Sequence, residues 1–434
     1  MLDAACVKRQ LERYIKFLVI FLTIFIPCRN ALELCMGTVV KLIPDILVLL
    51  LLLWFFLCKR GRVEFKLYDL ILLLFLGLEF LNTVIFQGIG LYTYIFAVRS
   101  SMMYYILFFV IRNYEFDNKF MLLFAKVLRY ITYILFVLGV IEKVGNKMIL
   151  FPESVAESII YADNYARVYS MFFNPNTYGA FLVLSFFLVI YYEKNAKDMT
   201  IYKIVVLVSL MLSMSRSAIL IFAVGLIVYG IAFKRKILLN KKTVFDVLVI
   251  FLASVLIYAV CEKTTEWVWH SENGSSTTVY DRLEDLHGKE IINESNAVGR
   301  LFYVKTGLKI FKDYPVLGTG FGTYGSAASM SWKPPLYEKY DLDYGFYSDN
   351  EYIKDLVETG IVGIILLLAF CGSVIYSYRH NFFCVFVCLV FLWFGLFYNV
   401  LEVQIISFLM WGILGMLSKK QKKSVKLEIE GKEM

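Results

Sequence analysis

Charge is scarce in this chain: Asp, Glu, Lys and Arg together make up 18% of its 434 residues. Soluble globular chains carry about 25%, so the composition argues against an ordinary water-soluble domain. Histidine is scarcer still. His270, His287 and His380 are the only three, far apart and without the spacing of a metal centre. The long polar stretch after Cys261 holds no cysteine, which excludes a disulfide framework there. Cys384 and Cys388 lie one helical turn apart, but no His, Asp or Glu accompanies them, and they read as packing residues. No internal repeat is visible. Neither a metal nor a cofactor is expected.

What the chain has instead is apolar mass in runs. Hydrophobic residues make up 59% of it, with 38 Phe and 30 Tyr. The stretch DILVLLLLLWFFL, Asp45 to Leu57, carries no charge after its first residue. About twenty such residues cross a bilayer as a helix. The pattern predicts an all-α integral membrane protein with about twelve transmembrane helices, near 14–34, 42–58, 67–86, 91–111, 120–141, 176–192, 201–216, 218–233, 244–261, 353–377, 382–399 and 401–417. Lys8, Arg9 and Arg13 before the first run resemble a signal peptide. No convincing cleavage site follows, so this reads as a retained first helix.

The net charge of +8 is explained by topology. With the N-terminus in the cytoplasm, that side receives Lys59, Arg60, Arg62 and Lys66, then Lys194, Lys197 and Lys203. It also receives Lys234, Arg235, Lys236, Lys241 and Lys242, then Arg379, and finally Lys419, Lys420, Lys422 and Lys423. The short opposite loop around 87–90 has no basic residue, so the pattern is positive-inside and both termini are cytoplasmic. The expected organisation is residues 1–261 as helices one to nine, 262–352 as a large extracytoplasmic loop, 353–417 as helices ten to twelve, and 418–434 as a cytoplasmic tail. Within the loop, Leu301, Val304, Leu308 and Phe311 have helical spacing, which predicts an amphipathic helix over 298–311.

Arginines are the sharpest chemical signal, because a guanidinium in a span is costly unless it meets a cavity or a partner. Arg99 lies within the fourth span, Arg216 closes the seventh, Arg167 precedes the sixth and Arg300 opens the amphipathic stretch. On the topology above all four fall on the outer side. Guanidinium groups bind phosphate oxygens through paired, planar hydrogen bonds, so such a set suits a lipid-linked diphosphate; interfacial anchoring is the competing explanation. The glycines of DYPVLGTGFGTYG, Gly318 and Gly320 among them, permit tight turns and close backbone approach. They do not follow a strand in a βαβ unit, so a nucleotide-binding loop is rejected. Asp349, Asn350 and Glu351 sit at the start of the tenth span, and Glu358 falls on about the same helical face as Glu351. These carboxylates are candidates for activating an acceptor hydroxyl, and equally for helix capping or salt bridging. The pair Asp341 and Asp343 forms a DxD whose two-residue match carries little weight.

Four segments in order resemble the O-antigen ligase and O-antigen polymerase family of bacterial surface-polysaccharide enzymes: RVYSMFFNPNTYGAFL, SMSRSA, RLFYVKTGLKIFKDYPVLGTGFGTYG and DNEYIKDLVETGIVG. The resemblance covers roughly residues 90 to 415. It implies a glycosyltransferase of the C type (GT-C), working on undecaprenyl-diphosphate-linked glycans at the outer face of the inner membrane, without nucleotide or metal. It implies that Arg99, Arg167, Arg216 and Arg300 hold the donor diphosphate, that Asp349, Glu351 or Glu358 serves the acceptor, and that Asn176, Gly318, Gly320 and Asn350 shape the site. In the ligases a His usually precedes the Asn of the x-Asn-x-Tyr motif; here that position is Asp349. The departure favours a polymerase of O-antigen, capsule or exopolysaccharide repeat units, with a ligase next and a polysaccharide transporter or flippase third. A flippase and a chain-length regulator are the protein partners this implies, and no nucleic acid is expected.

Overall fold

The computed structural model describes residues 4–58, 63–145, 150, 167–193, 198–234, 241–269, 300–343 and 345–430. His270 and His287, residues 270–299 and 344 of the expected loop over 262–352, and the basic residues Lys59, Arg60, Arg62, Lys194, Lys197, Arg235 and Lys236 lie outside them.

Among the described residues the chain is helical, without a strand. Its helices are α1 (Ala4–Met36), α2 (Ile43–Cys58), α3 (Leu67–Phe80), α4 (Leu91–Ile111), α5 (Asn118–Val144), α6 (Pro175–Tyr192), α7 (Met199–Ser213), α8 (Arg216–Lys234) and α9 (Lys241–Trp269). There follow α10 (Arg300–Asp313), two short helices α11 (Ala327–Ser331) and α12 (Leu336–Lys339), then α13 (Glu351–Tyr378), α14 (Phe382–Gly395) and α15 (Gln404–Glu430). Among the described residues eight stretches are long and apolar enough to cross a membrane: Arg9–Met36, Thr38–Leu57, Leu67–Phe86, Leu91–Ile111, Asn118–Val144, Pro175–Tyr192, Asp246–Thr265 and Glu351–Tyr378. Four shorter apolar helices, Met199–Ser213, Arg216–Ala232, Phe382–Gly395 and Gln404–Ser418, account for the remaining expected segments. The amphipathic stretch of the loop is α10, which starts at Arg300.

One boundary differs from expectation. Arg216 does not close the seventh span; it opens the eighth helix. Helix α7 ends at Ser213 because Met214 turns into the left-handed region at φ 49°, which reverses the chain with almost no loop.

The packing separates two compact units. The first comprises 1–15, 45–115 and 289–434, the second 16–44 and 116–288. In the first unit α13 packs most extensively on α3, and α15 on α4. Two buried acids hold this bundle. Asp69 of α3 takes both terminal nitrogens of Arg112 at 2.7 Å each and the Tyr105 hydroxyl. Asp45 of α2 takes Nε of Arg99 at 2.6 Å. In the second unit α5, α6, α7 and α9 pack on one another and α8 leans on α6. Arg129 of α5 pairs there with Glu193 at 2.7 Å, and Lys143 with Glu262 of α9 at 3.0 Å. These charges within apolar helices are tolerated because each of them meets an opposite charge.

Helix α13 is broken. Gly360 has φ 61° and ψ −166°, so the ladder is interrupted in mid-helix. Lipid offers nothing to hydrogen-bond the backbone groups that such a break frees, and the glycine-rich segment pairs with them instead. Thr319 and Gly320 donate their amides to the carbonyls of Val357 and Glu358, both at 2.9 Å. Ile361 and Val362 donate theirs to Pro315 (2.9 Å) and Val316 (3.2 Å). Behind this segment, α3 ends in a widened π-type turn over Leu81–Phe86. From that turn Asn82 donates to the Leu317 carbonyl at 2.5 Å, and the Thr83 hydroxyl accepts the Phe321 amide at 2.7 Å.

The fit leaves no room at Gly318. A Cβ there would lie 2.4 Å from the Glu358 carbonyl, at a φ of +73°. Gly318→Ala is predicted to cost at least ~2 kcal/mol from the left-handed backbone and the clash together, measured as thermal unfolding of the solubilised protein. Gly372→Ala, with nothing within 4 Å, should unfold like the unchanged chain. Equal midpoints for the two variants would mean that the segment is not seated in the break.

Candidate functional site

The candidate residues gather in two places, one in each unit. In the second unit the chain enters α6 through Asn174, whose side chain accepts the amides of Asn176 and Thr177 and caps the helix. Proline at the first helical position, where its missing N–H costs nothing, completes the start. The segment before it is held to α5: Glu142 accepts the Ser170 amide at 2.7 Å, and the Ser170 hydroxyl donates to the Leu135 carbonyl at 2.9 Å. Ser170 and Phe173 both sit at positive φ in this turn.

That clamp sets Arg167, which is buried. Its Nε donates to the Ser213 carbonyl at 3.1 Å and one terminal nitrogen to Oδ1 of Asn176 at 2.6 Å. The Ser215 hydroxyl donates to the same Asn176 oxygen at 3.1 Å. The first turn of α6 lies directly against the first turn of α8, since a Cβ at Gly179 would be 2.7 Å from the Cβ of Ala218 and 3.1 Å from that of Ser215. Small residues allow this close approach. Two helix N-termini therefore meet beside Arg167, and the peptide dipoles of each favour an anion there. Arg216 is the first residue of α8, is exposed, and makes no hydrogen bond or ion pair with any described residue.

In the first unit Asp349, Asn350, Glu351, Glu358, Gly318 and Gly320 lie around the start and the break of α13. Asp349 is half-buried and adopts φ 47°. Asn350 caps α13 by accepting the Ile353 amide at 3.0 Å, and it donates to the Leu396 carbonyl at 3.1 Å. Glu358 is buried, and its Oε1 accepts the Tyr324 amide at 2.8 Å. Arg99 and Arg300, expected in the donor set, also belong to the first unit. Arg99 is occupied by Asp45, and Arg300 opens α10 with a side chain outside the described residues.

Sequence reasoning overlooked the charge at the centre of this group. Lys354 is 1% exposed, with its Nζ in contact with Glu351 and 3.6 Å and 3.9 Å from carboxylate oxygens of Asp355 and Glu402. Glu402 lies in the turn before α15 and accepts the Ala327 amide at 3.0 Å and the Tyr347 hydroxyl at 2.9 Å. Burial, and then the Glu402 charge, push the Tyr347 phenol well above its ordinary range, so it stays a hydrogen-bond donor. Glu351 reaches across to accept the Leu401 amide at 3.1 Å. Asn399 adds a further tie, accepting the Ser348 hydroxyl at 2.6 Å and donating to the Gly325 carbonyl at 2.8 Å. The signal available for Lys354 was a lone cation among the acids of EYIKDLVE; for Glu402 it was a lone acid between two apolar runs. Among the described residues no three His, Cys, Asp or Glu side chains are grouped so as to hold a metal ion.

Residues 201–368 match the O-antigen ligase family. The matched stretch carries Arg216, the glycine-rich segment and the start of α13, whereas Arg99, Arg167 and Asn176 precede it. The chain is also 24% identical over 184 residues to the O-antigen polymerase of Salmonella muenchen, a stretch that covers 41% of this chain and 38% of that relative. The chain thus matches well under half of that polymerase's length.

The Lys354 group makes a quantitative expectation. Lys354→Met would leave Glu351, Asp355 and Glu402 buried without their cation. Breaking a buried pair by removing one partner costs about 3–5 kcal/mol, so a marked fall in melting temperature is expected. Adding Glu351→Gln to that variant should restore part of the loss. A double variant no more stable than the single one would show that the four groups are not electrostatically coupled.

Proposed function

We propose that this protein polymerises undecaprenyl-diphosphate-linked oligosaccharide repeat units of an O-antigen, capsule or exopolysaccharide. The observation that carries the reading is Arg216, exposed and without a partner among the described residues, at the N-terminus of α8, in the corner where Asn176 holds Arg167 and two helix N-termini meet. That corner has the chemistry of a diphosphate receptor: a guanidinium for paired hydrogen bonds, a second beside it, and two dipole ends of the right sign.

In the reaction, a hydroxyl of the acceptor glycan attacks the anomeric carbon of the donor. The bond from that carbon to the diphosphate oxygen breaks, and the leaving diphosphate takes the electron pair. Arg167 and Arg216 stabilise the charge that develops on it. Asp349, or Glu351 or Glu358 behind it, takes the hydroxyl proton. Gly318, Gly320 and Asn350 shape the acceptor side. Arg99 and Arg300 complete the donor set if the lipid-linked diphosphate draws them in. The four short apolar helices cross the membrane with the eight long ones, giving twelve spans of the GT-C kind with both termini cytoplasmic and 262–352 on the outer face of the inner membrane. A flippase that delivers the lipid-linked unit and a regulator of chain length are the partners such a reaction calls for. The family match is described for ligases, and transfer to a different acceptor is the second reading.

Arg216→Ala is predicted to lower glycan joining by about 10²–10³-fold while leaving the amount of membrane-inserted protein unchanged, read as product length on purified lipid-linked repeat units. Wild-type chain lengths from that variant would remove the diphosphate corner from the mechanism. With one lipid-linked substrate as the sole glycan, a polymerase lengthens it, whereas a ligase leaves it untouched until another acceptor is added.

A further inference from the structure

A cavity lies in the first unit, lined by connecting segments. It encloses about 200 Å³ between the short 87–90 turn and the segment that runs from the glycine-rich turn to α12. That is room for roughly six or seven waters. Its residues belong to connections, not spans, and the contacts of Gln87 with Gly318 and of Thr83 with Phe321 place both connections at the same end of this unit.

The lining has a definite hydrogen-bonding character. Thr319 and Thr323 are buried, with hydroxyl oxygens 2.7 Å apart. The Thr323 hydroxyl donates to the Gly320 carbonyl at 2.6 Å, and that of Thr319 has Thr323 or the Val357 carbonyl to donate to. Both hydrogens are thus committed inside the protein, and lone pairs are what remain for a ligand. Gln87 donates its amide to the Gly318 carbonyl at 3.2 Å, which leaves its side-chain oxygen as a third acceptor. The donors on the rim are Lys339, whose Nζ lies 5.1 Å over the Tyr314 ring, the Tyr314 hydroxyl and the second side-chain N–H of Gln87. Ile89, Pro334, Pro335 and Leu336 supply apolar wall between these groups.

A surface that offers acceptors and aliphatic wall suits a ligand that brings many O–H donors on a ring with C–H faces. A phosphate would set its own lone pairs against those acceptors, with one cation to offset them, itself only 4.0 Å from Asp313. A lipid chain would leave the polar groups unmatched. We propose that this cavity is a subsite for one sugar ring, bound through its hydroxyls by Thr319, Thr323 and Gln87. Its role as part of the acceptor site rests on the glycan-joining function above; the binding itself does not. The cavity is joined to that chemistry by backbone: the amides of Thr319 and Gly320 are bonded to Val357 and Glu358 across the break in α13, so the floor moves only with the carboxylate-bearing helix.

The test uses the full chain in detergent micelles and a panel of methyl glycosides of hexoses, 6-deoxyhexoses, N-acetylhexosamines and hexuronic acids, read by saturation-transfer NMR. At least one glycoside should receive saturation from the unchanged protein, with binding weakened at least fivefold by Gln87→Ala, an exposed change that leaves the core intact, and by Thr323→Val. In joining assays the same variants should raise the KM for the acceptor about tenfold with little change in kcat. No binding by any glycoside, or equal binding by the unchanged protein and both variants, overturns the subsite. Binding that depends on Gln87 and Thr323 in a protein that joins no lipid-linked glycan would sustain the subsite and defeat the polymerase reading instead.

Discussion

Inside a bilayer a helix that breaks must find new partners for the amides and carbonyls on either side of the break, because lipid supplies none. At Gly360 of α13 those partners are the backbone groups of residues 315–320, four hydrogen bonds in all. Much else in the first unit follows from this pairing. It presses Gly318 against the helix so closely that no other residue fits. It brings the chain from Gly320 onward alongside Glu358, whose carboxylate receives the Tyr324 amide. It also explains the widened end of α3, where Asn82 and Thr83 hold the far side of the same segment. The glycine-rich turn serves here as the missing piece of a membrane helix.

Buried charge follows the same economy. Asp69 with Arg112, Asp45 with Arg99 and Arg129 with Glu193 are closed pairs that lock helices together. Other charges depart from it, the buried Glu79 of α3 among them, which has no ion-pair partner among the described residues. Around Lys354 one ammonium faces three carboxylates, an imbalance that an ordinary structural ion pair does not need. At the start of α8, Arg216 has no counter-charge among the described residues.

The apolar runs made the helices legible from the sequence, since the period and length of a membrane segment are set by residue type alone. The grouping of Asp349, Asn350, Glu351 and Glu358 was legible too, because it is local to one helix start. Three features were not. The break at Gly360 sits in VETGIVGIILLL, a run that reads as continuous helix; only the partner segment, some forty residues earlier, makes the break possible. Arg99 looked available because its partner Asp45 lies on a different helix. Lys354 was hidden among acids that drew attention to themselves. In each case the missing information was a contact between residues distant in the chain or the sign of a neighbour, and neither is a property of composition or spacing.

Asp349 shows how a backbone demand can constrain chemistry without dictating it. Its φ of 47° puts it in the left-handed region immediately before the Asn350 cap. Most side chains are disfavoured there, while Asn, Asp and His are enriched several-fold. The ligases resembled by this chain usually carry His at this point, and Asp satisfies the same turn. Exchanging one for the other therefore keeps the entry into α13 and changes what the position can do. A neutral imidazole takes a proton and becomes a cation; a carboxylate takes one and becomes neutral. Either protonation adds one positive charge, and the acids at the start of α13 would hold an imidazolium more firmly than a neutral carboxyl.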